Sequence, residues 1–435
     1  MISLPSSARK VMDALERNGF SVFLVGGYLR DTLMGRKPGD IDLATDAKPK
    51  DVTALFGAKY TLETGVKHGS VTVMSDGLPI EVTTFRSEGA YADKRHPNSV
   101  SFLTNVTEDL RRRDFTVNAM AWNPEHGLID PVGGREDLQR RRIRCVGNPD
   151  ERFAEDGLRI LRALRFASLL NFSIDPRADE ALNRFTSSLE NVSVPRVWHE
   201  LSLFFQGVRP GRLFASHLPV FAAVIPELAF LCDNSPLSFQ AATDAARWLD
   251  AVPQDLPLRL AALFSAVAPD QQEAAFLAKS VLEDRLQTDR NTRRAVQSLL
   301  KYPAIALKTP DEARALLKAV GRETALDWLG LVLPILSQQE GEGTSRILSA
   351  VLECNLPLDV SQLAVKGSDL IDLGCLPGPL IGEILSTLLD EVFAGRLPNE
   401  RPALLRRAVL MLERTSAIQS GTSSSTSCSQ GNSSV

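Results

Sequence analysis

The chain has 435 residues, 44% of them hydrophobic, and a formal net charge of −4. This is longer than the roughly 250–300 residues over which one core grows, so more than one domain is expected. The slightly acidic balance excludes a protein that is basic throughout, and any nucleic-acid surface must be local.

In chain order, an opening helix is expected over Ala8 to Asn18, then a buried strand over Val22 to Val25. Gly26 and Gly27 follow at once as a turn, and glycines there let a backbone approach a phosphate closely. Asp40-Ile41-Asp42 comes nine residues after Asp31 and opens a second strand, Ile41 to Ala44. Carboxylates at i and i+2 of a strand share a face about 6.5 Å apart, at about 3.3 Å per residue. A lone diglycine is usually a turn and a lone D-x-D usually a solvated strand end or cap. Their joint spacing after a buried strand points instead to metal-assisted chemistry on a nucleoside triphosphate.

Further strands are expected over Val71 to Met74, Ile80 to Phe85 and Val100 to Leu103. In the second of these Glu81 shares a face with Thr83, opposite Ile80 and Val82. If that strand neighbours the one holding Asp42, three carboxylates converge. Two Mg²⁺ ions about 3.5–4 Å apart would then hold the attacking hydroxyl and the departing pyrophosphate of an in-line displacement. A solvent-facing Glu81 on an edge strand is an equal reading.

Arg111-Arg112-Arg113-Asp114 runs into the apolar segment Phe115 to Ala119. Arg113, nearest that segment, is the candidate contact to ribose or triphosphate, with Asp114 able to orient one of the arginines; a solvated turn serves equally for Arg111 and Arg112. The basic residues cluster locally, with twelve arginines and no lysine between Arg111 and Arg165. Planar, bidentate recognition of phosphates or bases suits them, although surface salt bridges account for several.

After Pro149 the pattern becomes helical to about Arg414, broken near Gly207 to Gly211, Pro219 to Pro226, Val252 to Pro257 and Tyr302 to Pro310. The segment Glu151 to Phe166 reads as one helix whose Asp156, Arg159 and Arg162 recur every three residues. Arg165 drifts toward the apolar flank, as a buried salt-bridge partner would. An aspartate beside an arginine matches the amine and ring nitrogen of cytosine and adenine, and mismatches uracil and guanine. On this segment alone an i,i+3 surface ion pair is the better reading.

Cys145, Cys232, Cys354, Cys375 and Cys428 are scattered without a C-x-x-C pair, and the five histidines are dispersed. A reducing compartment is expected, and neither structural zinc nor a transition-metal site. No signal peptide opens the chain and no apolar run reaches the roughly 18 residues of a membrane span, so the cytoplasm is expected. The Ser-rich stretch Ser416 to Val435 is expected to be disordered.

Taken together, GGYLRDTLMGRKPGDIDLAT, GVKHGSVTV, IEVTTFR, RRRDFTVNAMA, DPVGGREDLQRRRIR and ERFAEDGLRILRALRF closely resemble the class II tRNA nucleotidyltransferases, the CCA-adding enzymes, together with the related bacterial poly(A) polymerases. The resemblance implies an α+β fold: a nucleotidyltransferase (polymerase β-like) head with a mixed β-sheet over 1–147, then an all-helical neck (148–210), body (211–305) and tail (306–415). It implies Asp40 and Asp42 as metal ligands, with Mg²⁺ as cofactor, while Glu81 stands as the third catalytic candidate on the strand reading alone. Gly27 and Arg30 match phosphate contacts, and Arg113 matches the nucleotide-binding arginine. Asp156 and Arg159 match the protein template for CTP and ATP, and Arg162 and Arg165 its supporting contacts. The partners implied are CTP, ATP and the acceptor arm and 3′ end of tRNA, held by shape and backbone, with no membrane and no evident protein partner.

Arg86 to Pro97 resembles the flexible loop needed for the switch to A addition, which disfavours CC-only activity. Full CCA addition is the leading reading. Addition of the terminal A alone is the main alternative, followed by poly(A) polymerase and a catalytically inactive RNA-binding protein. One departure is visible: where the family pattern reads I-S-x-E-R-x-x-x-E-L, this chain has Pro195 in place of the Glu, before Arg196 and Glu200. That puts the local helix start in doubt.

Overall fold

The computed structural model describes residues 2, 4–65, 69–88, 100–233, 235–354 and 356–422. Most of the expected flexible loop (89–99), residues 66–68, and the end of the Ser-rich tail (423–435), including Cys428, lie outside the described residues. The chain divides into two compact units, Met1–Arg294 and Ala295–Val435.

The first unit opens with α1 (Ser6–Arg17), which buries Ala8, Val11, Met12 and Leu15, the spacing of one helix face. β1 (Val22–Val25) is buried at every position, as a central strand must be. It leads without a gap into α2 (Gly26–Leu33), followed by β2 (Ile41–Thr45) and α3 (Pro49–Phe56). Next come β3 (Thr61–Gly65), β4 (Ser70–Ser75), β5 (Leu78–Thr84), β6 (Arg86–Glu88), β7 (Val100–Phe102) and α4 (Val106–Arg111). β8 (Ala121–Asn123), β9 (Gly127–Ile129), α5 (Gly134–Gln139) and β10 (Arg142–Ile143) complete this region.

Seven of these strands form one mixed sheet in the order β3-β4-β5-β2-β1-β8-β9. β1 is antiparallel to both neighbours, whereas β2 and β5 run parallel. That parallel pairing matters most for chemistry, because it sets Asp42 directly beside Glu81. Phe23, Val25, Ala44, Phe85, Leu110, Ala121 and Val146 form a core beneath it.

The expected helix over Glu151 to Phe166 is two helices, α6 (Pro149–Glu155) and α7 (Leu158–Leu170). Asp156 between them is extended, at φ −147° and ψ 108°. A Cβ on Gly157 would lie 2.6 Å from the Ser188 carbonyl oxygen, so the chain passes its neighbour closer than any side chain allows. Periodicity missed the break because α6 buries only Phe153, too little to set a phase of its own. The helical remainder also contains a strand, β11 (Ser173–Ile174), parallel to β10.

After α8 (Pro176–Arg184), α9 (Val194–Phe205) begins normally despite Pro195, since a first-turn proline lacks only an N–H that has no partner inside the helix. The expected break at Pro219 to Pro226 is instead mostly helix, Leu218–Val224, with Pro219 in its first turn. A buried guanidinium, Arg259, donates to the carbonyl of Phe205 at 2.6 Å and so caps the end of α9.

The second unit is helical. Leu370, Leu388, Leu404 and Ala408 pack in one of its cores. Helices Pro310–Val320 and Gln338–Glu353 both start with reciprocal capping boxes, Thr309 with Glu312 and Ser337 with Glu340. The last helix extends through Thr422, past Ser416, where the disordered tail was expected to begin.

Candidate active site

The site starts at the end of β1. Val25 pairs with Asp42, and the chain then turns through Gly26 at φ +70°. A Cβ on Gly26 would stand 2.7 Å from Asp42 Oδ2, so this glycine is needed both for its left-handed backbone and for its closeness to the carboxylate. Of the two glycines expected to allow such backbone freedom, only Gly26 uses it: Gly27, the expected phosphate contact, has an ordinary φ, and its added Cβ would meet only the Arg30 guanidinium at 3.6 Å.

Asp40 lies exposed just ahead of β2, Asp42 is half-buried within it, and Glu81 is exposed on β5. Burial and the neighbouring Glu81 push the Asp42 carboxyl up to about 6; Asp40 adds to this, while Arg113 and Arg30 oppose it. Three acidic groups and two guanidinium groups therefore share one electrostatic neighbourhood. No ion pair neutralises Asp40, Asp42 or Glu81 among the described residues. Hard oxygen donors crowded to this degree suit a divalent cation. No three such side chains form a ready-made cage among the described residues.

The arginines are held in place one by one. Arg30 donates to Asp31 Oδ1 at 2.9 Å and to Asn118 Oδ1 at 2.8 Å. Arg113 donates to the Asn118 carbonyl at 3.2 Å and to Asp109 Oδ2 at 3.3 Å. Burial alone would raise the Asp109 carboxyl, but Arg113 and Arg112 outweigh it and hold it below the ordinary range. Asp114 does not orient the arginine triplet as expected. It accepts from Arg162 Nε at 2.7 Å and from the Phe115 N–H at 2.8 Å, and these contacts overcome burial to keep it ionised.

On α7 the expected Asp156–Arg159 ion pair does not form. Asp156 accepts from Arg196 at 2.8 Å and caps the Leu158 N–H at 3.0 Å. Buried Arg159 instead pairs with Glu155 and donates to the Arg152 carbonyl at 3.1 Å. Arg165 meets Glu200 Oε2 at 2.8 Å, a charge contact without hydrogen-bond alignment, and burial pushes its guanidinium down. Arg165 is thus the buried salt-bridge partner its position suggested. Arg196 and Glu200, both in the segment marked as a departure, went unassigned in the sequence reading. Their spacing of four, one helix turn, was the available signal.

Two family models match the chain: the Poly A polymerase head domain over residues 22–144 and tRNA nucleotidyltransferase domain 2 over residues 270–408. A CCA-adding enzyme of Levilactobacillus brevis is 35% identical over 412 residues, covering 92% of this chain and 96% of the relative. The crystal structure of the Bacillus stearothermophilus CCA-adding enzyme in complex with CTP superposes with a TM-score of 0.76 at 28% identity, covering 95% of this chain and 98% of that one. A Thermotoga maritima CCA-adding enzyme complexed with tRNA shares the fold at a TM-score of 0.65 and 23% identity, covering 93% of this chain and 94% of that one.

Proposed function

The chain belongs to the CCA-adding enzymes, tRNA nucleotidyltransferases, and from that premise we propose how its own residues carry the reaction. The enzyme adds C, C and A to the 3′ end of tRNA from CTP and ATP and releases pyrophosphate. It uses a divalent metal, and Mg²⁺ is the ion proposed for Asp40 and Asp42. When bound, the ion lowers the charge barrier between the attacking 3′-oxygen and the α-phosphate.

Gly26 and Gly27 keep the approach to the phosphates open, and Arg30 and Arg113 offer guanidinium donors to the triphosphate and ribose. Asp156 and Arg159 present acceptor and donor to the base edge, which suits C and A. Arg196 steadies Asp156 for that role, and Asp114 steadies Arg162. The head over 1–147 carries the chemistry, the neck over 148–210 reads the base, and the body and tail over 211–415 hold tRNA. Work on tRNA and the lack, among the described residues, of a helix long and apolar enough to cross a membrane support a cytoplasmic location.

The observation that carries this reading is the β2–β5 register, which sets Asp42 against Glu81 with Arg30 and Arg113 in electrostatic reach. The near full-length likeness to enzymes named for CCA addition favours the full activity over addition of the terminal A alone. Purified protein given tRNA lacking CCA, lacking CA or lacking only A, with labelled CTP and ATP, tests it. Labelled C is expected on the first substrate; label from ATP on the third alone would establish the A-adding enzyme instead.

A further inference from the structure

We propose that Phe166 is a positioning residue that sets the triphosphate grip and the base-reading helix at a fixed separation, and so contributes to nucleotide selection. This rests on the reading of Arg30 as a triphosphate contact and of α7 as the base reader. Three guanidinium groups surround the one ring: Arg165 at 4.1 Å from its centroid, Arg30 at 5.4 Å and Arg162 at 5.4 Å. Arg30 comes from α2, beside the carboxylates, whereas Arg162 and Arg165 come from α7. Phe115 closes the ring's edge in a T-shaped contact at 5.8 Å.

Three like charges this close repel one another, and Arg30 and Arg162 each disfavour the charged form of Arg165. An aromatic face attracts all three through its quadrupole. The ring adds this attraction without using an N–H donor, so the guanidinium groups of Arg30, Arg162 and Arg165 stay turned to the oxygens of Asp31, Asn118, Asp114 and Glu200 around it. Each guanidinium is aimed from outside the ring: Arg30 by Asp31 and Asn118, Arg162 by Asp114, and Arg165 by Glu200, whose other oxygen lies 3.7 Å from Arg162. Phe166 itself is 7% exposed, so the ring is a fixed spacer. A shift of either element relative to the other must move a cation across it.

The test compares Phe166→Leu, Phe166→Met and Phe166→Tyr with the unaltered protein on tRNA lacking CCA, with thermal melting run in parallel. Loss of the ring is expected to raise KM for CTP and ATP about ten-fold and to lower discrimination against UTP by a similar factor, with KM for tRNA unchanged. Phe166→Tyr keeps the ring and should restore both. Unaltered nucleotide KM and discrimination in a folded Leu or Met variant would overturn the role. So would a Tyr variant as impaired as these, or failure of both Leu and Met to fold, which would mark the ring as packing. Failure of the unaltered protein to incorporate CTP would instead remove the functional reading on which the proposal rests.

Discussion

The two ends of the site treat their charges in opposite ways. At the sheet, burial together with the neighbouring carboxylates Glu81 and Asp40 pushes Asp42 up to about 6. On the helical side Asp114, Asp156 and Glu200 each lie against an arginine, at 2.7 Å for Arg162, 2.8 Å for Arg196 and 2.8 Å for Arg165. Crowded like charges are unfavourable in the protein alone and become favourable once a cation and phosphates arrive. Matched charges are satisfied beforehand, so they hold a fixed shape, the one that the proposed function has a base test. One end is built to be completed and the other is built to stay in place.

The sharpest way to break this comparison is to remove a carboxylate at the sheet. Asp42→Ala or Asp40→Ala should lower nucleotide incorporation by about three orders of magnitude, since metal stabilisation of the reacting charges is worth several kcal/mol. Filter binding should find tRNA affinity nearly unchanged, and a variant that keeps its turnover would remove that residue from the metal site.

The matched end should fail differently. Arg196→Ala leaves Asp156 with the Leu158 N–H but without its ion-pair partner, and discrimination of CTP over UTP should fall about 10- to 100-fold while incorporation of CTP survives. Competition assays with paired nucleotides read this directly; unchanged selectivity would mean that Asp156 needs no anchor.

Stability should separate the two ends by sign. Asp114→Asn breaks a buried, hydrogen-bonded ion pair and should destabilise the protein by about 3 kcal/mol. Asp114 is held below its ordinary 3.8, so its contribution is present above that pH and is lost as pH falls through the lowered value. Asp42→Asn removes an unfavourable charge. Raised from 3.8 to about 6, ionised Asp42 costs stability as pH rises through that interval, so this variant should be more stable at pH 8 without added metal, by about 1–3 kcal/mol. Thermal melts of both proteins in chelator test the pair, and equal signs would erase the distinction.

The smallest effect concerns a thiol beneath the matched end. Burial and Asp114 push the Cys145 thiol up to about 12, whereas Cys354 is exposed. Alkylation at pH 8 followed by mass spectrometry should label Cys354 and spare Cys145. Rapid labelling of Cys145 in the folded protein would show that this region opens.

Much of the architecture was legible from local pattern. The all-apolar run Val22 to Val25, the alternation around Glu81 and the change to helical spacing after Pro149 each record which faces of an element are buried. The D-x-D spacing put Asp42 on β2, where strand geometry sets it beside Glu81, whereas Asp40 falls just ahead of the strand. What local pattern did not contain was the choice of partner. Asp114 was expected to orient a neighbouring arginine and reaches Arg162 instead; Asp156 was expected beside Arg159 and binds Arg196. An ion pair is decided by which elements pack side by side and by a chain break such as that at Asp156 and Gly157. The residue types and their spacing therefore determined that the protein could bind a triphosphate. Only the packing of α2, α7 and α9 decided which arginine answers each carboxylate, because Coulomb attraction acts on distance in space rather than on separation along the chain.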